Sequence, residues 1–188
     1  LLKYGERINL ECKKAEGKLP NSIWETYSSF ANTSGGIILV GVEEHMKEID
    51  PSKRFTFVNV ENAERRIIEF WNTINSDKVN INILVDENIG ICQIDGKKIL
   101  WIEVPQADYK QRPVYINGNP IKGSYKRNNE GDYHCTEEEV KAMLRDANDS
   151  GNDGGTLNGY TMDDIDKETL RKYRQIFEIR NDGHVWNA

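Results

Sequence analysis

Phe30-Ala31-Asn32-Thr33-Ser34-Gly35-Gly36-Ile37-Ile38-Leu39-Val40-Gly41-Val42 holds the end of a helix, a tight turn and a strand in one short run. Upstream, Ile23, Tyr27, Phe30 and Ala31 recur at helical spacing, which predicts a helix that starts after Pro20 with Asn21 or Ser22 as its cap. Asn32 to Gly36 ends that helix, because glycine enters the left-handed region without a Cβ clash. Ile37 to Val40 is apolar, rich in β-branched residues and too short for a helix of its own. It reads as a strand buried on both faces. Glu43 and Glu44 follow just past its C-terminal end, the edge where open α/β sheets tend to bind ligands.

Outward from this run the pattern alternates between strand and helix. Ile8, Leu10 and Cys12 alternate with Asn9, Glu11 and Lys13, the period of a half-buried strand. Val60 to Ile74 has the spacing of an amphipathic helix. Ile81 to Val85, Gly90 to Ile94 and Lys98 to Val104 read as strands, with Asp95-Gly96 as a hairpin turn between the last two. Pro113 to Ile116 and Ser124 to Arg127 read as a short strand and an edge strand. Thr136 and Glu139 form a capping box for a helix that runs to about Ala147. The expected organisation is one domain over 1–147, a flexible Gly/Asn/Asp linker over 148–162, and the start of a downstream module over 163–188.

Composition narrows the function classes. The net charge is -6, so any nucleic-acid binding rests on a local patch and not on a globally basic chain. No apolar run is long enough for a membrane span, and the N-terminus lacks the order of a signal peptide. Three cysteines, Cys12, Cys92 and Cys135, are odd in number and far apart, which fits a reducing cytoplasm.

Three groups of residues have chemistry worth weighing. Glu11 and Lys13 share a strand face, and Glu6 with Glu43 or Glu44 would add carboxylates able to hold Mg²⁺ or Mn²⁺ against a phosphodiester. The plain alternative is a solvated face with a Glu-Lys pair. The backbone N–H groups of Asn32 to Gly36 have the composition of a phosphate cradle, or of a simple helix cap. Tyr125, Lys126, Arg127 and Tyr133, with Lys110, Arg112 and Lys122 nearby, interleave bases and aromatics as single-stranded nucleic-acid binders do; otherwise they are a charged edge strand. Lys53-Arg54, Arg65-Arg66 and Lys97-Lys98 read as solvated positions. The cysteines and His45, His134 and His184 show no metal-ligand spacing, and no metal or other cofactor is expected outside the carboxylate reading.

Glu6 with Asn9-Leu10-Glu11-Cys12-Lys13, Phe30-Ala31-Asn32-Thr33 with Gly35-Gly36, Gly41-Val42-Glu43-Glu44, Arg112-Pro113-Val114-Tyr115 and Gly123-Ser124-Tyr125-Lys126-Arg127 occur in that order. Together they resemble the Schlafen AlbA_2 family over roughly residues 5–147. The resemblance implies an α+β fold, a mixed β-sheet flanked by helices, and a role in binding DNA or RNA. It also implies a place within a larger bacterial transcriptional regulator. On that reading Lys13, Arg112, Lys126 and Arg127 contact phosphates and Tyr125 stacks on a base. The animal Schlafen ribonucleases use a carboxylate triad, to which Glu6, Glu11 and Glu43 or Glu44 correspond by motif, with Mg or Mn as the implied ion. Glu stands where the third member is usually Asp, and the chain has one copy of a core that those nucleases double. A homodimer would supply the second. A third reading is a dimerisation scaffold for a downstream domain.

Overall fold

The computed structural model describes residues 9–15, 17–45, 47–48, 50, 53–129, 131–149, 161, 164 and 166–180. Contacts divide the chain into two compact units, Leu1–Ser150 and Gly151–Ala188. The architecture of the first is the α+β arrangement that the sequence predicts.

Its centre is a four-stranded mixed sheet of order β1-β2-β6-β5. Strand β1 (Leu10–Lys13) runs parallel to β2 (Gly36–Val40), and β2 runs antiparallel to β6 (Lys97–Val104). Strand β5 (Ile89–Ile94) closes the far edge against β6, through a turn in which Asp95 and Gly96 both have positive φ. That backbone is the one a two-residue hairpin needs to match strand twist. Helix α1 (Ile23–Asn32) and helix α2 (Ala63–Ile74) pack on one face. Ile38, Val40, Leu100, Ile102 and Val104 are fully buried there with Phe30, Tyr27 and Phe70. Burial of each such side chain is worth about 1.5–3 kcal/mol.

The other face is covered differently. Gly41 has φ +96, which breaks the chain out of β2 into β3 (Val42–Glu44). That strand pairs with β4 (Phe55–Phe57) in a separate small sheet. Val42 and Phe55 bury Ile99, with Cys12, Leu39 and Ile94 packed beside them. Ile37 is left 42% exposed, so the expectation that β2 is buried on both faces is corrected. The second core reaches only half of the strand.

Ile81 to Val85 is not a strand. Side chains take the place of a ladder for its backbone. The Tyr27 hydroxyl donates to the Ile81 carbonyl at 3.2 Å and accepts from the Ile83 N–H at 3.0 Å. Leu84 N–H donates to Asn82 Oδ1 and Val85 N–H to Asn88 Oδ1. Pro113 to Ile116 likewise makes only single bridges, Tyr115 with Ser124 and Ile116 with Val79.

The short helix α3 (Pro120–Gly123) leads into β7 (Tyr125–Asn128), which pairs with β8 (Gly131–His134) as a hairpin. Helix α4 (Glu137–Asp149) follows, and the predicted capping box is present: Glu139 N–H donates to Thr136 Oγ1 and Thr136 N–H to Glu139 Oε2. It carries the helix through Asn148 and Asp149, which the sequence assigns to the linker; residues 150–160 lie outside the described residues. In the second unit, helix α5 (Lys167–Arg180) carries exposed Leu170, Tyr173, Ile176 and Ile179.

Candidate functional site

Helix α1 is buried almost all round, including Thr26, Ser28, Ser29 and Asn32. Polar groups so placed need partners; Ser28, Asn32 and Thr33 find them on the β7 side of the molecule, while the Ser29 Oγ bonds to none of the described residues. Asn32 Nδ2 donates to the carbonyls of Val114 (2.8 Å) and Tyr125 (3.0 Å), while its Oδ1 accepts from Val114 N–H at 2.7 Å. Ser28 Oγ donates to the Val114 carbonyl and accepts from Tyr125 N–H. Thr33 Oγ1 accepts from Arg127 N–H at 2.9 Å. The Phe-Ala-Asn-Thr run is therefore a clamp that fixes segment 113–116 and strand β7 to the helix.

The turn that follows is a cap. The N–H groups of Thr33 and Gly35 both donate to the Phe30 carbonyl, so they are not turned to a phosphate. Gly35 has φ +72, and a Cβ on Gly36 would lie 2.7 Å from the Phe30 ring. Both glycines are required by the geometry of the turn and by the closeness of that ring.

Arg127 crosses the Phe30 ring, its guanidinium 5.2 Å from the centroid. Its side chain is 1% exposed and pairs with Glu11 at 2.9 Å and Asp132 at 3.0 Å. It also donates to the Leu10 carbonyl. Asp132 in turn accepts from the Thr26 hydroxyl at 2.6 Å. Glu11 and Lys13 do share a face, as predicted, but it is the inner one: they stand opposite Ile38 and Val40 in the register. Lys13 holds Glu11 at 2.7 Å, and both are mostly buried. The sequence therefore placed the pair on one face correctly and misjudged that face as solvated. Arg127 and Lys13 are consequently turned inward and hold the fold; in this geometry neither presents its charge to a phosphate.

The candidate carboxylates that the structure describes are each held in an ion pair. Glu43 pairs with Lys14 at 3.1 Å, and Glu44, 7% exposed, with Arg54 at 2.6 Å. Glu6 lies outside the described residues. Among the described residues no group of three or more His, Cys, Asp or Glu stands close enough to hold a metal ion. Glu11 pairs with Lys13 and Arg127, Glu43 with Lys14 and Glu44 with Arg54.

On a strand successive side chains point to opposite faces, so Lys126 points away from Arg127. It stands opposite Tyr133, which is 56% exposed. Lys126 Nζ reaches Glu139 Oε1 at 2.5 Å. That bond raises the Lys126 pKa, and with the Thr136 N–H it lowers that of Glu139. Lys126 and Arg112 line one cavity of about 260 Å³ with Asn32, Cys135, Glu139, Ala142 and Met143. The Arg112 Nε is buried and donates to none of the described residues. Burial pushes the Cys135 thiol up to about 11, so it stays protonated there. The turn Tyr109–Gln111, just before Arg112, packs on α4, and Lys110 lies 5.7 Å from the exposed Tyr109 ring. Tyr125 sits on the inner face with its ring 4.3 Å from that of His134; burial and Glu25 raise its pKa.

Of the residues proposed from sequence, the structure thus brings Arg112 and Lys126 together at one cavity, with Tyr133 opposite Lys126 on the strand pair. It draws Lys13, Glu11 and Arg127 into a buried network whose other acid, Asp132, carries no local signal that would single it out. Period-2 alternation within Tyr125-Lys126-Arg127 is the one signal that separates the two sets.

Comparison with curated proteins gave no match. Among solved structures, the N-terminal domain of a RecG-related protein from Nitrosomonas europaea aligns over 71% of this chain and 87% of its own, with TM-score 0.52 and 23% identity. The DIP2311 protein from Corynebacterium diphtheriae aligns over 90% of this chain but 30% of its own, at 16% identity and TM-score 0.47. The first is a likeness of fold; the second carries no argument. Residues 141–188 match a domain of unknown function, DUF8451. The model of the family described as Schlafen, AlbA_2 matches residues 6–136, which takes in the clamp, the buried arginine network and the hairpin, and the chain belongs to that family.

Proposed function

We propose that the first unit is a nucleic-acid-binding module that contacts a single strand through the outer face of the β7–β8 hairpin and the adjoining Arg112 cavity. The observation that carries this reading is the cavity that Arg112 and Lys126 line together, with exposed Tyr133 opposite Lys126 on the outer side of a hairpin whose other side is locked to α1. A strand binder needs cations along a backbone path and aromatic faces for its bases. Lys110 with Tyr109 extends the same alternation. The Lys126–Glu139 pair is a surface ion pair, worth little by itself, so exchange of Glu139 for a phosphate costs little. Arg127 and Lys13 act here as positioning residues that hold the hairpin rigid. A regulatory role within a longer protein rests on the family resemblance.

The test is fluorescence anisotropy with labelled single-stranded RNA, single-stranded DNA and duplex DNA across a salt series. The reading expects single strands to bind more tightly than duplex, with log K falling linearly in log salt for about two or three phosphates. Equal, salt-insensitive or absent binding would remove it. Strand cleavage that needs Mn²⁺ and Glu11 would replace it with the ribonuclease reading.

A further inference from the structure

A second cavity, of about 510 Å³, lies between the start of α1 and the side of α2, lined by Lys18, Leu19, Asn21, Trp24, Arg66, Glu69, Thr73 and Lys78. Its volume is that of a small-molecule site. It carries Lys18, Arg66 and Lys78 against Glu69 alone, and Arg65 as well as Arg66 pairs with that glutamate. Arg66 is the informative residue. Its side chain is 13% exposed, although the sequence reads it as solvated, and Glu69 fixes one end of the guanidinium. Its Nε is buried and donates to none of the described residues. A guanidinium has five donors, and a buried one left unbonded is costly. Trp24 is locked against Phe70, with ring centroids 5.0 Å apart and 17° between planes, so the floor is rigid. Lys78 is held by Asn117 Oδ1 at 2.9 Å, and Lys18 is exposed.

We propose that this cavity binds the phosphate group of a small phosphorylated molecule, at a site separate from the hairpin surface. Arg66 would add its charge from the wall, its Nη1 held on Glu69 and its Nε buried. Lys18 and Lys78 would close on the charge from the rim, and Asn21 and Thr73 line the wall beside them.

Pyrophosphate and ADP titrated into ¹⁵N-labelled protein test this, with the Trp24 indole N–H resonance, assigned through Trp24→Phe, as the local reporter. The expected result is a saturable shift of that resonance by pyrophosphate. The affinity should fall roughly tenfold for each cation removed in Lys18→Gln and Lys78→Gln and stay the same in Lys126→Gln. Lys18 is exposed and Lys78 half-buried with its ammonium on Asn117, so both should change to Gln without loss of the fold, and the result does not depend on Arg66→Gln remaining folded. Tighter binding of ADP would identify an ester-bound diphosphate, and equal binding the inorganic group; either upholds the site. No shift at Trp24, or an unchanged affinity in the Lys18→Gln/Lys78→Gln protein, overturns it. A shift produced by a single-stranded oligonucleotide but by neither small phosphate would also overturn it and assign the cavity to the strand's path. Because Lys126 and Tyr133 lie elsewhere, failure here leaves the hairpin reading untouched.

Discussion

Lys126 and Arg127 are neighbours with opposite fates. Arg127 lies against Phe30 with two carboxylates and a backbone carbonyl around it, while Lys126 reaches over the surface to Glu139. The difference comes from strand geometry alone: alternate side chains leave a β-strand on opposite sides. It teaches that a run of conspicuous bases on a strand divides into a set that builds the surface and a set that uses it. The inner face of the hairpin is held by Arg127, Asp132 and the carbonyl of Tyr125; the outer face offers Lys126 and Tyr133.

The largest expected effect lies on the inner face. Arg127→Ala leaves Asp132 buried without its cation and Glu11 with Lys13 alone, and should cost about 3–5 kcal/mol of stability. Arg127→Lys should recover little of it, because one ammonium cannot serve both carboxylates with a planar fork. Thermal and urea unfolding measure both. If Arg127→Ala stays as stable as the parent while losing nucleic-acid affinity, the division between the faces is wrong.

Asn32→Ala comes next. It removes the acceptor for Val114 N–H and a donor to two carbonyls. The expected loss is about 1–3 kcal/mol in stability, with hydrogen exchange accelerated at Val114 and along β7. Asn32→Asp should not restore it, since the carboxylate keeps the acceptor and lacks the donor.

On the outer face the effects should move to binding and leave unfolding alone. Tyr133→Ala should weaken single-strand binding by about 1–3 kcal/mol, the range for a stacked base. Lys126→Ala should lower the salt slope by about one phosphate equivalent. Each should unfold within about 0.5 kcal/mol of the parent.

The smallest effect, and the one that sharpens the contrast most, concerns Glu139. Its folded pKa is lowered below the ordinary value of 4.5 by Lys126 and the Thr136 N–H. Its contribution to stability is therefore present above that value and lost as pH falls through the folded one. Glu139→Gln at neutral pH reproduces the uncharged state and frees Lys126, so single-strand affinity should rise a few-fold, with a small loss of helix capping. A fall in affinity would mean that Glu139 itself belongs to the contact.

How much of this was legible in the sequence follows from what each pattern encodes. The α1 to β2 run and the hairpin at Asp95-Gly96 were readable because helix periodicity, β-branching and turn residues are local. The capping box at Thr136 was readable for the same reason. Ile81 to Val85 looked like a strand because nothing in its own composition says that the Tyr27 hydroxyl will stand where a neighbouring strand would. Ser28 and Asn32 recur at helical spacing, but spacing does not tell a polar face turned to water from one turned to buried backbone. Glu11 and Lys13 were correctly placed on one face, yet which face points inward depends on the register with β2. Arg66 was lost altogether, since a basic residue on a helix is exposed far more often than not and only the packing of α2 beside Trp24 hides it.

The central claim is that the hairpin's outer face receives the strand. A chemical-shift map of the ¹⁵N-labelled protein with a short single-stranded oligonucleotide tests it most directly. The account predicts perturbations concentrated at Tyr109 to Arg112, Lys126 and Tyr133, with the signals of Glu11 and β2 unmoved. Perturbations concentrated instead around Glu43 and Glu44, or on the Ile37 face of the sheet, would contradict it.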